Sequence, residues 1–190
     1  MYEEKGYEIV RGFISEELAN FLWGYFELNA HNKIKNLIED SDQQVENADA
    51  IYGDPAFDHL AAISILKVQE ITNKILLPTY TYGRLYREGA DLKKHKDRPS
   101  CEHSVSLTLG EDVIEPWPLM FKDFQGEVGG AYLKPGDAVV YRGIELEHWR
   151  EPFKGHRQGQ IFLHYVDKNG PHSEFIYDKR KFLGLPSVWD

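Results

Sequence analysis

The chain has 190 residues, 42% hydrophobic and 13% aromatic, with a formal net charge of -9. This composition excludes a chain disordered throughout, and the length suffices for one domain with a real core. The acidic balance lacks the basic footprint of nucleic-acid binding and argues against a nucleic-acid partner.

The N-terminal MYEEKGYEIV is acidic and lacks the charged-then-apolar order of a signal peptide. No apolar run reaches the length of a membrane span, and the lone Cys101 permits no internal disulfide, so a soluble protein of the reducing cytoplasm is expected. Residues 7–10 (YEIV) read as a short strand. Ser15 is placed to cap a helix through SEELANFLWGYFELN, with Glu16 and Glu17 in its first turn. Leu18, Phe21, Leu22 and Phe26 give that helix one apolar face. From about 31 to 54 the chain turns polar and reads as a loop, a candidate lid. Asp54-Pro55 opens a second helix with Pro at its first position. Phe57, Leu60, Ile63, Val68, Ile71 and Ile75 keep its period, and Pro78 is expected to stop it.

From Thr79 the character changes. TYTYGRLY, HSVSLTLG, PLMFKDF, GAYLKP, DAVVYRG and QGQIFLHYV are short β-type runs, most of them separated by Gly or Pro. That rhythm predicts a sandwich or barrel, with the two helices packed on one face of a β-roll. No internal repeat or linker interrupts it, so residues 1–190 are taken as one domain, with helical support over about 14–77 and a β core over about 79–167.

HKDRPSCEHS carries the first chemical signal. Residues two apart on a strand share a face, so His95 and Asp97 converge on one point. That is two thirds of the two-His-one-carboxylate set of non-haem Fe(II) oxygenases, although the pair alone is a weak motif. Among the remaining histidines, His103 is expected to start the next strand, and His172 lies in a polar turn. His164 sits in an apolar strand, where a hydrogen-bonded core histidine is the preferred reading. His148 stands apart through its surroundings, KPGDAVVYRGIELEHWREPFKGHRQGQIFLHYVD. There Arg157, Gly159, Ile161 and Leu163 share one strand face, and a cation buried on it would need an anionic partner. The alternative for Arg157 is a surface residue after a glycine turn.

Together, Tyr86-x-x-Gly89, His95-x-Asp97, Lys134-Pro135-Gly136-Asp137, His148-x-x-x-Pro152 and Arg157 resemble the 2-oxoglutarate/Fe(II)-dependent dioxygenases, in particular the prolyl 4-hydroxylase-like branch. The resemblance covers roughly residues 80–167. It implies a mainly β fold, a double-stranded β-helix (jelly roll) with N-terminal helices on one face. It also implies Fe(II) held by His95, Asp97 and His148, and 2-oxoglutarate whose distal carboxylate pairs with Arg157. Tyr86 and Thr108 match positions that hydrogen-bond the cosubstrate; the alternatives are a barrel aromatic and an ordinary strand residue. The implied activity is hydroxylation of a C–H bond, of a prolyl residue in a peptide or protein, with succinate and CO2 as coproducts and ascorbate as a supporting reductant. A free amino acid or small metabolite is the second substrate reading, and a non-redox, cupin-like metal-binding protein the second class. Two departures bear on substrate: Leu92 stands where family members often have a tyrosine, and Gly129-Gly130-Ala131-Tyr132 lacks the usual acidic residue. Arg98 and Arg150 are read as surface salt-bridge residues, and Trp117, Trp149 and Phe153 mainly as packing.

Overall fold

The computed structural model describes residues 2–35 and 44–184. In chain order the elements are α1 (Tyr2–Lys5), β1 (Tyr7–Val10), α2 (Glu16–Lys35), β2 (Ala48–Tyr52), α3 (Pro55–Thr72), β3 (Leu76–Arg87) and β4 (Leu92–His95). There follow β5 (His103–Asp112), β6 (Leu119–Lys122), β7 (Val128–Ala131), β8 (Ala138–Tyr141), β9 (Glu147–Arg150) and β10 (Arg157–Asp167). The strands form a six-stranded sheet, β1-β8-β5-β10-β3-β2, and a four-stranded sheet, β4-β9-β6-β7. Every pairing is antiparallel, and the two packed sheets give the sandwich expected from the β-type runs, in the jelly-roll form that the resemblance implied.

Strand alternation divides the large sheet into two chemically distinct faces. Val105, Leu107 and Leu109 of β5, Ala138 and Val140 of β8, and Ile161, Leu163 and Tyr165 of β10 pack with Leu22, Phe26, Phe57 and Val68 of the helices. The opposite face contributes Tyr86, Val139 and Tyr141 to a second cluster with Leu92, Leu119 and Phe121 of the small sheet. On β5 that inner face carries Ser104, Ser106 and Thr108, all fully buried. The apolar register therefore belongs to the helices, and the polar register lines the inside of the roll. This division places the site.

The helices start as their sequence dictates. Ser15 Oγ accepts from Leu18 N at 3.2 Å, and Asp54 Oδ1 accepts from Ala56 N at 2.9 Å ahead of Pro55. The buried face of α2 is Ala19, Leu22, Phe26 and Ala30, whereas Phe21 is 69% exposed, so the stripe is rotated from the one expected. Its centre is set by Trp23, whose ring lies on β5 and β10. A Cβ at Gly110 would come within 2.5 Å of that ring and one at Gly159 within 2.3 Å, so only glycine admits the indole there. Phe57 and Phe26 meet edge-on at 5.6 Å. Truncating fully buried Phe57 to Ala would cost about 3–5 kcal/mol.

Three boundaries differ from the sequence reading. Helix α3 ends at Thr72, capped by Asn73 in the left-handed conformation (φ 52), and Pro78 lies inside β3 rather than stopping a helix. Its partner there is Tyr165, beside a register shift in β10 that accommodates the missing N–H. The polar 31–54 stretch is not one loop: α2 runs to Lys35 and β2 occupies 48–52, while 36–43, the middle of the expected lid, lies outside the described residues. No helix among the described residues is long and apolar enough to cross a membrane.

Candidate metal centre

β4 and β9 pair so that His95 and His148 are direct cross-strand partners. Their rings sit 4.3 Å apart between centroids. Asp97, two residues beyond His95, brings Oδ1 to 3.6 Å from His95 Nε2 and 3.4 Å from His148 Nε2. Donors about 2.0–2.2 Å from one shared cation lie roughly 3–3.5 Å from each other, so these separations fit a single ion with small adjustment.

The surroundings fix which atoms face that point. His95 Nδ1 donates to Lys93 O at 2.8 Å and His148 Nδ1 to Leu146 O at 3.0 Å, which leaves both Nε2 lone pairs directed at the ion position. Burial lowers the His95 pKa, and the charge of His148 lowers it further, so His95 is neutral at pH 7. For Asp97, burial pushes upward, but the hydrogen bond to His148 and the nearness of the imidazoles His148, His164 and His95, which favour the anionic form, prevail and hold it at about 2. A carboxylate and an imidazole ready to ligate without losing a proton suit a divalent cation. Two imidazole nitrogens and one carboxylate within reach of one point match the donor set of non-haem iron sites.

Asp97 is held from behind. Its N–H donates to Gly143 O at 2.9 Å, and Ser104 Oγ donates to Oδ2 at 3.2 Å. With Ser104 donating to Asp97, His164 donates Nδ1–H to Ser104 Oγ, 2.9 Å away. His164 is thus the buried, hydrogen-bonded histidine expected, but its partner leads to the site. It also forms, with Asp97 and Cys101, a second group of donor atoms within 4.8 Å of one another. Burial and the Asp97 charge push the Cys101 thiol up to about 12, so it stays protonated.

The triad opens into a cavity of about 490 Å³, lined also by Tyr80, Tyr82, Arg84, Lys96, Arg98 and Phe162. The structure places the expected cosubstrate residues differently. Arg157 starts β10 on the register of Ile161 and Leu163, the helix-facing side. It pairs with Glu27 over the Trp23 ring, its side chain 46% exposed. The shared strand face was read correctly, but that face looks out of the roll. Arg84, on the inner register of β3, is the buried cation among the three that line the cavity with the triad, Lys96 and Arg98 being exposed. Its Nη2 donates to Gln44 Oε1 at 2.9 Å and its Nη1 to Tyr86 Oη at 3.3 Å, so Tyr86 adjoins the cavity through Arg84. Thr108 is buried on the inner wall, with its hydroxyl accepting from Gln160 Nε2 at 2.8 Å.

Arg150 also departs from expectation. Two residues after His148, it shares that ligand's strand face and is 1% exposed rather than a surface ion-pair residue. Nη1 donates to Trp117 O at 2.6 Å, the guanidinium lies 4.6 Å from the Trp117 ring, and Nε has no partner. It makes no ion pair among the described residues. Arg98 does form the partly exposed ion pair expected, with Asp178 at 2.8 Å. Trp149 and Phe153 are buried, in keeping with packing. The signal for Arg84 and Arg150 was parity: each lies two residues or a whole number of pairs from an inward-facing residue.

No protein-family model matches the sequence, and no curated protein matches it. Solved structures do match the fold. A prolyl-4-hydroxylase from Pseudomonas putida superposes with TM-score 0.65 at 14% identity, covering 86% of this chain and 94% of that one. HygX from Streptomyces hygroscopicus, with nickel, 2-oxoglutarate and hygromycin B bound, gives 0.68 at 14%, covering 88% and 85%. The viral collagen prolyl hydroxylase of Paramecium Bursaria Chlorella virus-1, in its 2-oxoglutarate complex, gives 0.59 at 17%, covering 86% and 97%. The chain has the jelly-roll fold shared by these proteins.

Proposed function

We propose that this protein is an Fe(II)- and 2-oxoglutarate-dependent oxygenase that hydroxylates a C–H bond. The observation that carries the reading is the convergence of His95, Asp97 and His148 on one point of a cavity that Arg84 also lines. A cupin-like binding protein needs the three ligands but has no use for a buried guanidinium facing them.

His95, Asp97 and His148 would hold the ion, a donor set that in non-haem iron proteins leaves room for a cosubstrate. When bound, the iron supplies the O2 and redox chemistry that side chains lack. Arg84 receives the distal carboxylate of 2-oxoglutarate, its planar fork suited to that geometry. Arg150, buried without an anion, adds positive potential on the same side. Ser104 and the Gly143 carbonyl keep Asp97 in place, and Leu92, Leu119 and Phe162 supply apolar walls that limit water at the centre. The balanced reaction consumes 2-oxoglutarate and O2 and yields succinate, CO2 and a hydroxylated substrate.

For the substrate, a prolyl residue in a peptide is the first reading, supported by the likeness of fold to the prolyl hydroxylases of Pseudomonas putida and the Chlorella virus. A small molecule is the second, supported by the hygromycin B held in HygX. The test is succinate formation from 2-oxoglutarate with Fe(II) and ascorbate. Succinate above the metal-free control is expected, with its loss in His148→Ala; equal succinate in that variant would overturn the ligand assignment.

A further inference from the structure

The charge lining the cavity is opposite to that of the whole protein. Acidic residues outnumber Lys and Arg 31 to 22 along the chain. Yet Arg84, Lys96 and Arg98 line the cavity against a single carboxylate, Asp97. Asp97 is committed to the ion and Arg84 to the cosubstrate, while the ion and the dianionic cosubstrate cancel each other. Lys96 and Arg98 remain, Arg98 already sharing its charge with Asp178, which lies outside the cavity lining. Both are exposed where Arg84 is buried, so they lie toward solvent, one residue to either side of the ligand Asp97.

We infer that the substrate hydroxylated here carries an oxyanion, a carboxylate or a phosphate, received by Arg98 and Lys96 at the mouth of the cavity. The inference rests on the oxygenase reading for the word hydroxylated, but its recognition chemistry stands on these side chains. Arg98 is built to hold an oxyanion. Its guanidinium lies 4.4 Å from the Tyr80 ring, and its Nε donates to Tyr80 Oη at 3.3 Å, which orients the fork. Its Nη2 already holds a carboxylate, that of Asp178, while Nη1 carries no partner among the described residues. Lys96 makes no hydrogen bond or ion pair among the described residues. The backbone carrying both is pinned at Asp97 N to Gly143 O, so the distance from these cations to the metal ligands is set by the fold. Tyr80, Tyr82 and Phe162 supply an aromatic wall beside them, suited to a ring or another flat apolar body.

Asp178 makes the inference discriminating. It accepts from Tyr52 Oη at 2.5 Å as well as from Arg98, in a segment where Tyr177, Asp178 and Lys179 all have positive φ. An incoming oxyanion competes with this internal carboxylate for the same guanidinium.

The test uses the full chain loaded with Mn(II) and 2-oxoglutarate without oxygen, titrated with matched probes: benzoate against benzamide, and phenyl phosphate against phenol. Affinity is read by calorimetry, and proximity to the centre by relaxation enhancement of the probe protons by Mn(II). The anions are expected to bind at least tenfold tighter than their neutral partners, and the tighter of the two anions assigns carboxylate or phosphate. The Lys96→Met/Arg98→Met double variant should lose that preference while still binding Mn(II), and Arg98→Lys should retain part of it. Asp178→Asn should tighten anion binding severalfold, whereas a purely structural Arg98–Asp178 pair predicts weakening in both variants. Neutral probes binding as tightly as anions, or a preference that survives the double variant, would overturn the inference. Anion selectivity without succinate formation in a separate assay would sink the oxygenase reading and leave this one standing.

Discussion

Gly143→Ala tests whether the backing of Asp97 is as tight as its contacts imply. A Cβ at this position would lie 2.3 Å from Cys101 O, 2.4 Å from Asp97 Oδ2 and 2.9 Å from Ser104 Oγ. Residue 143 has little room to retreat, because its N–H donates to Glu102 O at 3.1 Å and its carbonyl accepts from Asp97 N at 2.9 Å. Restoring ordinary contact therefore displaces the Asp97 carboxylate by about 1 Å or breaks one of those bonds. Overpacking of this kind costs about 1–3 kcal/mol. At about 2–4 °C per kcal/mol for a chain of this size, a fall in Tm of roughly 2–12 °C is expected for the metal-free protein. Displacing a ligand also weakens the ion, by about 10–100-fold for a lost outer-shell support. The stabilisation gained on adding Mn(II) or Ni(II) should shrink by about 1.4–2.7 kcal/mol at saturating metal. Thermal unfolding with and without metal, with calorimetric metal affinities, reads both effects. An alanine variant with wild-type Tm and wild-type metal affinity would refute the argument that the Asp97 position depends on this glycine.

Arg84→Met should weaken 2-oxoglutarate binding to the metal-loaded protein by 2 kcal/mol or more, on the order of 30-fold, with metal affinity unchanged; unchanged cosubstrate affinity would remove Arg84 from its role. Arg150→Met should leave stability equal or higher, since it removes a buried charge without an ion-pair partner among the described residues, while lowering 2-oxoglutarate affinity; denaturant titration and calorimetry check both. Arg157→Ala should shift stability by no more than about 1 kcal/mol and leave 2-oxoglutarate affinity as it was, since its partner Glu27 is a surface contact. His103, whose Nδ1 meets Tyr2 Oη at 2.6 Å, is lowered from 6.5 to about 4 by burial, with Arg142 adding to the effect. Its contribution is complete above pH 6.5 and is lost as pH falls toward 4, about 2 kcal/mol of it by pH 5. His103→Gln should flatten that part of the acid decline in denaturant midpoints.

Local chemistry was legible in the sequence where one residue type in one place decides the outcome. Ser15 and Asp54 cap helices because a side-chain oxygen beside free N–H groups has one useful arrangement. The two-residue spacing of His95 and Asp97 pointed to a shared side, which they do share although Asp97 lies just past the end of β4, and the turn-rich run after Thr79 announced two packed sheets. What the sequence left open was which side of each strand faces inward. SVSLTL alternates cleanly, but alternation alone does not say whether the apolar register meets helices or the opposite sheet. The helices took it, which turned Arg157 outward and gave the interior to Ser104, Thr108, Gln160 and His164. Arg84 and Arg150 were masked by the same ambiguity, since a lone arginine in an apolar run reads as a surface residue until the buried side is known. The end of α3 was missed because Asn73 stops it by adopting a left-handed backbone, a weaker mark in sequence than Pro78.

The most direct measurement is calorimetric titration of the metal-free protein without oxygen, first with Fe(II) and then with 2-oxoglutarate, in wild type and in His148→Ala. One equivalent of iron, followed by one equivalent of 2-oxoglutarate that binds only after the metal, is the expected result, with both steps lost in the variant. Iron binding undiminished in His148→Ala, or 2-oxoglutarate binding that ignores the metal, would contradict the account.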